Sequence, residues 1–299
     1  MAFVSTYFPE ELVKEVFVQA QGHSALAKLA AQTPVSFSGN DIMTFTFDGE
    51  VNLVGEGEAK ASHTNSNNVV KMAPLKVEYG ARVSDEFIRC SEEKQLSYLD
   101  GFRDGFSKKI ARGLDIMAFH GVNPKTGAAA STLIGTKSFD TNSDVTSITY
   151  DATNLEGNIN SAVAAIGDYE MNGIAMSKAF AAGLAGVVVN GVKQFPELGW
   201  GANPDAVRGV PSDVNSTVSF VDGKYAYLGD FRNAFKWGYA DQIPLEVIEF
   251  GDPDGNGDLK RYNQVYLRAE AWIGWAILDP DAFARIETEA QGATGATGA

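Results

Sequence analysis

One acidic turn has the residue types and spacing that could bind a cation. Asp252, Asp254, Asn256 and Gly257 match positions 1, 3, 5 and 6 of a calcium-binding loop. Position 12 of such a loop needs a bidentate carboxylate, but this chain has Asn263 there. The flanking segments read as strands, whereas calcium loops of this kind lie between helices. The pattern therefore favours a glycine-rich turn, with the first three residues as the chain's metal candidate.

Motifs of nucleophilic and phosphate-binding sites are absent from the sequence. It contains neither GxSxG nor HExxH. The run GVVVNGVK at 186–193 lacks the Lys-[Ser/Thr] pair that reaches phosphate and magnesium. The run GEGEAK at 55–60 lacks the third glycine of a dinucleotide loop. These segments therefore predict no nucleotide site.

The histidines and the cysteine do not form a site by their spacing. His23, His63 and His120 lie far apart, without the spacing of metal ligands. His120 falls at the end of a predicted helix, where a positive charge interacts favourably with the helix dipole. Cys90 is the single cysteine, which excludes an intramolecular disulfide and is typical of a small buried apolar residue. We therefore expect no enzyme and no cofactor.

Composition excludes further function classes. The 299 residues carry 24 basic and 38 acidic side chains, a formal charge of -14. Proteins that hold DNA through its phosphates carry a basic surface, so we expect no sequence-specific DNA binding. An acidic wall that encloses DNA without adhering to it is compatible with this charge, as is simple solubility. No apolar run is long enough to span a bilayer, and the acidic start lacks the basic region of a signal peptide.

Residues 92–120 predict one long helix, which provides a spine for the fold. Ser91 is a suitable N-cap, and Gly121 and Pro124 end the pattern. Three glycines inside it each cost roughly 1 kcal/mol relative to alanine, so we expect a bend or close packing of another backbone there. These are Gly101, Gly105 and Gly113. The stripe consists of Leu96, Leu99, Phe102, Phe106, Ile110, Leu114 and Met117.

Residues 42–80 predict an extended β-hairpin with a polar tip. IMTFTF at 42–47 alternates in the strand period, and Asp48-Gly49 is a turn signal. VVKMAPLKVEYGARV at 69–83 reads as one long strand, while 55–68 has almost no large apolar side chains. Because a lone hairpin is marginal in water, it needs support from a neighbouring molecule. The alternative is a disordered surface loop.

The rest of the chain predicts a mixed helix-and-strand region and then a strand-rich end. A second helix begins at Thr153, with Glu156 in capping-box spacing, and 199–217 reads as loop. The helix is expected to bury Leu155, Ile159, Val163, Ile166 and Tyr169. Strands are expected at 145–150, 173–177, 224–231, 234–240, 245–250 and 263–278, with short helices at 178–186 and 279–286.

The order of these elements resembles the tailed-bacteriophage major capsid proteins of the Hong Kong 97 type. The stretches that carry the resemblance are GDFRNAFKWGYADQIPLEVIEF, NQVYLRAEAWIGWAILDPDAFARI and the turn Gly209-Val210-Pro211. The family implies an α+β fold with an arm, an extended loop, a peripheral domain with a spine helix and long sheet, and an α/β axial domain. The parts would be the N-terminal arm 1–41, the extended loop 42–80, the first peripheral segment 81–150, the axial domain 151–255, the peripheral return strands 256–290 and a flexible tail 291–299.

The resemblance also implies function and partners. It implies a structural subunit, not an enzyme, that assembles into hexamers and pentamers of an icosahedral shell around double-stranded DNA. Because the chain begins with a short arm, we expect a separate scaffolding protein. The resemblance also implies a portal and, in some shells, a decoration protein, with assembly in the host bacterial cytoplasm and residence in the virion. Expected contacts between copies are Glu56, Glu58, Lys60, His63, Lys71, Lys76 and Trp272.

Two alternatives remain at this stage. A bacterial encapsulin-type nanocompartment shell would share the fold but enclose protein cargo. An α/β hydrolase or transferase would need a clustered nucleophile or acid–base group, and would be a discrete monomer or dimer.

Overall fold

Two larger β-sheets and one long helix organise the chain. The computed structural model describes residues 24–47, 51–58, 60, 65–86, 92–240 and 245–288. The α-helices of this part are α1 (Ala25–Leu29), α2 (Glu92–His120), α3 (Leu155–Ala165) and α4 (Lys178–Ala185). Its strands are β1 (Asn40–Phe47), β2 (Asn65–Met72), β3 (Leu75–Ser84), β4 (Thr146–Thr149), β5 (Gly173–Met176), β6 (Val188–Val189), β7 (Val192–Lys193), β8 (Ala206–Val207), β9 (Val210–Val214), β10 (Lys224–Gly229), β11 (Phe235–Tyr239), β12 (Leu245–Ile248), β13 (Gln264–Ile277) and β14 (Phe283–Glu287). None of the helices in these ranges is long and apolar enough to cross a bilayer.

The spine helix α2 has the predicted bounds. Phe106, Ile110, Leu114 and Met117 are buried, in agreement with the predicted apolar stripe. Close packing of another backbone is not found at two of its glycines among the described residues, because a Cβ added at Gly101 or at Gly105 would meet no described atom within 4 Å. Ser91, Cys90 and the side chain of Leu96 lie outside the described part.

The four-stranded sheet is built around the long strand β13. β13 pairs antiparallel with β3, β11 and β12. One face of β13 is buried, because alternate side chains of a strand point to the same face. From Ala269 onward this face belongs to the same core as the spine helix stripe. That face consists of the predicted Val265, Leu267, Ala269, Ala271, Ile273 and Trp275.

The six-stranded sheet is mixed and has the order β4-β14-β10-β5-β9-β8. β14 pairs parallel with β4, and β5 pairs parallel with β9, whereas the other neighbours are antiparallel. Helices α3 and α4 bury Leu155, Ala162, Phe180 and Leu184 in a second core over this sheet. The sheet and its helices form the mixed region predicted from the sequence.

The two larger sheets do not follow the predicted blocks of sequence. β11 and β12 lie within 151–255, which was predicted to form the axial domain, but they pair with β13, which lies within the predicted return strands 256–290. β4 and β14 lie within 81–150 and 256–290, which were both predicted to be peripheral. Both strands belong to the six-stranded sheet, together with strands of 151–255. The chain therefore crosses between the sheets more often than predicted, because pairing partners lie far apart in sequence.

Three local predictions were also wrong. The long strand predicted at 69–83 is two strands, broken at Ala73-Pro74, because proline has no N–H to donate to a ladder. The closing helix is one 3-10 turn at Pro280–Ala282 followed by β14. Residues 199–217, read as loop, contain β8 and β9, and β9 is a strand because it pairs with the buried β5.

The start of α3 differs from the predicted capping box. The side chain of Asn154 accepts the N–H of Gly157, while Thr153 donates to Asp151. The helix buries Leu155, as predicted, and also Asn158 and Ala162, which were not predicted. Of the predicted face, Ile166 is buried, Ile159 is partly buried, and Val163 and Tyr169 are exposed.

Residues 24–35, here called the strap, connect the two sheets. The ring N–H of Trp237 on β11 donates to the carbonyl of Ala30 at 2.9 Å. The N–H of Thr33 donates to the carbonyl of Trp237 at 2.8 Å. On the other side, Lys28 lies 3.4 Å from the carboxylate of Asp213 on β9. The strap therefore contacts both sheets.

Asp115 on the spine helix anchors the start of the strap. Its buried carboxylate accepts the hydroxyl of Ser24, the N–H of Ala25 at 2.9 Å and the N–H of Leu26 at 3.2 Å. Thr217 donates to it at 2.8 Å. Burial raises the pKa of Asp115 to about 6, although these hydrogen bonds act in the opposite direction.

Candidate functional site

Strands β1 and β2 form a hairpin, and residues 40–72, which contain it, are here called the arm. Its register pairs Asn40 with Met72 at the base and Phe47 with Asn65 toward the tip. The base is anchored in a small core that contains Val35, Met72, Ala276 and the partly buried Ile42 and Val70. Beyond the base, β1 and β2 pair with each other as far as Phe47 and Asn65.

One face of the arm presents apolar side chains to solvent. Met43 and Val69 are cross-strand partners and are 57% and 54% exposed. Phe45 follows on the same face of β1 and is 56% exposed. Large apolar side chains grouped on one exposed face are typical of a surface that another molecule covers.

The segment between the strands is also exposed where it is described. Val51 and Leu53 are each 95% exposed. Gly55 to Glu58 form a self-contained turn, in which the Glu58 N–H donates to the Gly55 carbonyl and the Glu58 carboxylate accepts the Gly55 N–H. The tip thus keeps a local shape while its apolar residues lack cover from the described chain.

The predicted contact residues on the arm are exposed but do not form a cluster. Glu56, Glu58 and Lys60 lie near the tip, and Lys71 lies opposite Asp41 at the base. His63 and the predicted Asp48-Gly49 turn lie outside the described residues. The prediction emphasised charges and missed the apolar face of Met43, Phe45 and Val69. The alternation of IMTFTF was the available signal, since it places Met43 and Phe45 together.

Lys76 and Trp272 lie on the four-stranded sheet and not on the arm. They are cross-strand partners on β3 and β13, and the Lys76 ammonium lies 5.6 Å from the centre of the Trp272 ring. Lys76 also pairs with Glu270 at 2.8 Å. Phe37 meets Trp272 edge to face at 5.2 Å. Both predicted contact residues therefore already have partners within their own chain.

The acidic turn after β12 is occupied by an arginine. Arg82 of β3 donates to Asp254 at 2.9 Å, to Asp252 at 3.2 Å and to the carbonyl of Gly257 at 2.8 Å. The Arg82 hydrogen bond, together with that of Asn256, holds the pKa of Asp254 well below its usual range. No group of three or more His, Cys, Asp or Glu in the described ranges has a metal-binding arrangement. Arg82 supplies the positive charge that a cation would supply.

Of the remaining predicted single residues, His120 is described and His23 and Cys90 are not. His120 ends the spine helix but is buried, with its ring nitrogens bound to Asp140 and Thr217. It is part of the protein interior and not of the arm surface.

Comparisons with known proteins agree on one family. The phage capsid family matches residues 6–288 of the chain. A structure from Mycobacterium phage Ogopogo is 32% identical, with 89% of this chain and 92% of that chain covered and a TM-score of 0.74. One from Gordonia phage Cozz is 26% identical, with 90% and 87% covered and a TM-score of 0.71. The capsid of an empty GTA particle, 13% identical with 90% of both chains covered and a TM-score of 0.57, shares the fold. No curated protein matches the chain.

Proposed function

The chain belongs to the phage capsid family and is a bacteriophage major capsid protein, and from this premise we propose how its copies hold together. Each subunit lays its arm on the next copy, so that the apolar face of Met43, Phe45 and Val69 is buried between subunits. Repetition of this contact in pentamers and hexamers builds an icosahedral shell. The single observation that carries the proposal is the exposed apolar face of the arm.

The free energy of one contact between an arm and its neighbour is small, but many such contacts together can hold a shell. Covering the exposed parts of Met43, Phe45 and Val69 yields roughly 1 kcal/mol for each side chain. One contact of this size does not hold two subunits together, because association carries a large entropic cost. In a closed shell every subunit gives one arm and receives another, so the contacts act together.

The charge of the chain is consistent with a shell that encloses DNA without binding its sequence. A formal charge of -14 repels phosphates, so packaged double-stranded DNA moves freely along such a wall. In this proposal a separate scaffolding protein, a portal and, in some shells, a decoration protein act with the subunit. Assembly takes place in the cytoplasm of the bacterial host. The role of the subunit is structural and not enzymatic.

The parts of the family fold are assigned by sheet and not by sequence blocks. The arm, residues 40–72, is the extended loop. The spine helix with the four-stranded sheet is the peripheral domain, and the six-stranded sheet with α3 and α4 is the axial domain. Glu56, Glu58, Lys60, His63 and Lys71 surround the contact between copies.

A nanocompartment shell is not favoured, because the matching family and the two more similar structures are of phages. Electron microscopy of native particles, with assay of their contents, tests the proposal. Closed icosahedral particles that contain DNA are expected. A monomer or dimer that never assembles, or particles filled with a protein cargo, would contradict it.

A deletion within the arm tests whether the arm holds the copies together. Removal of residues 55–68 is expected to leave a folded subunit, because no described residue of this segment belongs to the two larger cores. Particle yield should fall steeply. Normal particles from this deletion would show that the arm does not hold the copies together.

A further inference from the structure

The dipeptide Asn-Gly occurs in the chain at 172–173, 190–191 and 256–257. Asparagine is among the thermolabile residues of proteins. Before a glycine it can lose its side-chain amide without an enzyme, because the next backbone nitrogen can attack the side-chain carbonyl carbon. Glycine favours the attack, since it has no Cβ to obstruct the approach or to restrict the backbone. In a folded chain, the reaction at each pair depends on what holds the asparagine side chain and the glycine N–H.

The pair Asn190-Gly191 lacks such restraints among the described residues. It is the two-residue loop of the hairpin β6–β7, in which Val189 is the register partner of Val192. Both loop residues are exposed and lie in the left-handed region, with φ of 51° and 80°. Neither the Asn190 side chain nor the Gly191 N–H makes a hydrogen bond to a residue that the structure describes. The amide and the attacking nitrogen are therefore both accessible to water.

The hairpin that carries this pair is short and weakly packed. It has two register pairs, Val188 with Lys193 and Val189 with Val192. The three valines are 52%, 49% and 63% exposed, so little apolar burial holds the hairpin in place. Because a hairpin of this kind is marginal in water, its local opening costs little free energy. The backbone can then rotate and bring the Gly191 nitrogen onto the Asn190 side chain.

The other two Asn-Gly pairs are held by hydrogen bonds. Asn172 is buried, and its side chain donates to Asp230 and accepts the N–H of Arg232 at 3.4 Å. Asn256 is exposed, but its side-chain amide donates to the carboxylate of Asp254 at 3.0 Å. Each of these side chains must break hydrogen bonds before its carbonyl carbon can be attacked, and Asn172 must also become exposed.

We propose that the fold selects Asn190, from the three asparagines, as a site of spontaneous deamidation with water as the co-reactant. The Gly191 nitrogen loses its proton and forms a bond to Asn190 Cγ. The bond from Cγ to the side-chain nitrogen breaks, and that nitrogen leaves with a proton as ammonia. Water then adds to either carbonyl of the cyclic imide and breaks its bond to nitrogen. One opening gives aspartate, and the other gives isoaspartate, in which the main chain runs through the side chain.

The reaction changes both the charge and the backbone of the hairpin. Each event adds one negative charge to a chain whose formal charge is -14. Isoaspartate also lengthens the main chain by one methylene. A two-residue loop has the twist that its flanking strands require, so the longer loop disrupts the pairing of Val189 with Val192.

Incubation of the purified full chain at mildly alkaline pH, followed by trypsin digestion and mass spectrometry, tests the proposal. Trypsin cleaves after Lys178 and Lys193, so Asn190 lies in a peptide of residues 179–193 that has no other Asn or Gln. This peptide should gain the mass difference between an amide and an acid, and should separate into aspartate and isoaspartate forms. Asn256 should react more slowly than Asn190. Asn172 should be slower by about tenfold or more, because it reacts only from locally opened molecules.

Two controls separate the effect of the fold from that of the local sequence. Asn190→Gln has a side chain one methylene longer, which closes a ring far more slowly, so the mass of its peptide should stay constant. In guanidinium chloride the three pairs of the wild-type chain should react at similar rates, because nothing then holds Asn172 or Asn256.

Three results would overturn the proposal. One is a folded chain in which Asn190 reacts no faster than Asn172 or Asn256. Another is aspartate without isoaspartate, which would indicate direct hydrolysis of the side chain by water. The third is a preference for Asn190 that persists unchanged in guanidinium chloride, because the fold would then not be its cause. The readout is chemical, so it does not depend on the proposed contact between arms.

Discussion

Gly238 on β11 and Gly274 on β13 are register partners, and together they form a notch in the four-stranded sheet. A Cβ on Gly238 would overlap the carbonyl oxygen of Thr33 in the strap. A Cβ on Gly274 would lie 3.3 Å from Val35 and 3.4 Å from Met72 at the base of the arm. The notch therefore lets the strap and the arm base lie directly against the sheet.

The notch predicts a difference between two alanine substitutions. Gly238→Ala is expected to lower the free energy of unfolding by about 1–3 kcal/mol, because the added methyl meets backbone and the strap must shift. Gly274→Ala meets side-chain atoms that can move, so its loss should be smaller. Denaturant unfolding of both variants makes the comparison, and equal stability would contradict the notch.

We expect the exposed apolar face of the arm to be needed for assembly but not for folding. Met43→Ser combined with Phe45→Ser should change subunit stability by less than about 0.5 kcal/mol, because both side chains are exposed. Particle yield should fall sharply, as measured by sedimentation and electron microscopy. Thr44→Ser, on the opposite face of the same strand, is the matched control and should assemble normally. Unchanged yield from the double variant would refute the contact.

Asp115 predicts a loss of stability with rising pH. Its pKa is raised by burial to about 6, above the ordinary 3.8 of the unfolded chain. Between these values the folded state holds a proton that the unfolded state has released, so stability falls as pH rises from about 4 to about 6. The full difference corresponds to about 3 kcal/mol. Denaturant unfolding of wild type and of Asp115→Asn at several pH values in this range checks the prediction. The variant should lack the part of the fall in stability that comes from Asp115.

Glu287 predicts the opposite behaviour in acid. Burial raises its pKa, but hydrogen bonds from Lys224, Ser147 and Arg285 outweigh burial and lower it to about 2. A depressed pKa contributes stability above the ordinary 4.5, and this stability is lost as pH falls toward about 2. Glu287→Gln should therefore show a shallower loss of Tm than wild type below about pH 4.5. Parallel acid profiles would show that the ion pairs do not stabilise the fold.

The exposed glycines of the spine helix predict a gain in stability. A Cβ at Gly105 would meet open space, so Gly105→Ala should raise the free energy of unfolding of the subunit by about 1 kcal/mol. Denaturant unfolding of the free subunit measures the gain. A loss of stability in Gly105→Ala would contradict this prediction. Gly121→Ala is a contrasting variant, because Gly121 has a φ of +68° and an added Cβ would meet Ser138.

Local patterns in the sequence determined the elements with strong periodicity. The stripe from Phe106 to Met117 predicted the spine helix, and the alternation from Val265 to Trp275 predicted β13. The buried run at 173–176 predicted β5. These predictions held because helix and strand periods place apolar residues on one face, whichever partner later covers that face.

Partners across long distances in sequence were decided only by the tertiary structure. The sequence does not show that Arg82 binds Asp254, that β9 lies beside β5, or that β14 leaves the long sheet for the six-stranded one. It also placed the contacts of the arm on charged residues, whereas Met43, Phe45 and Val69 are the exposed apolar face. Periodicity reports which face of an element is buried, but the identity of the covering surface depends on packing between distant segments and, for the arm, between copies of the chain.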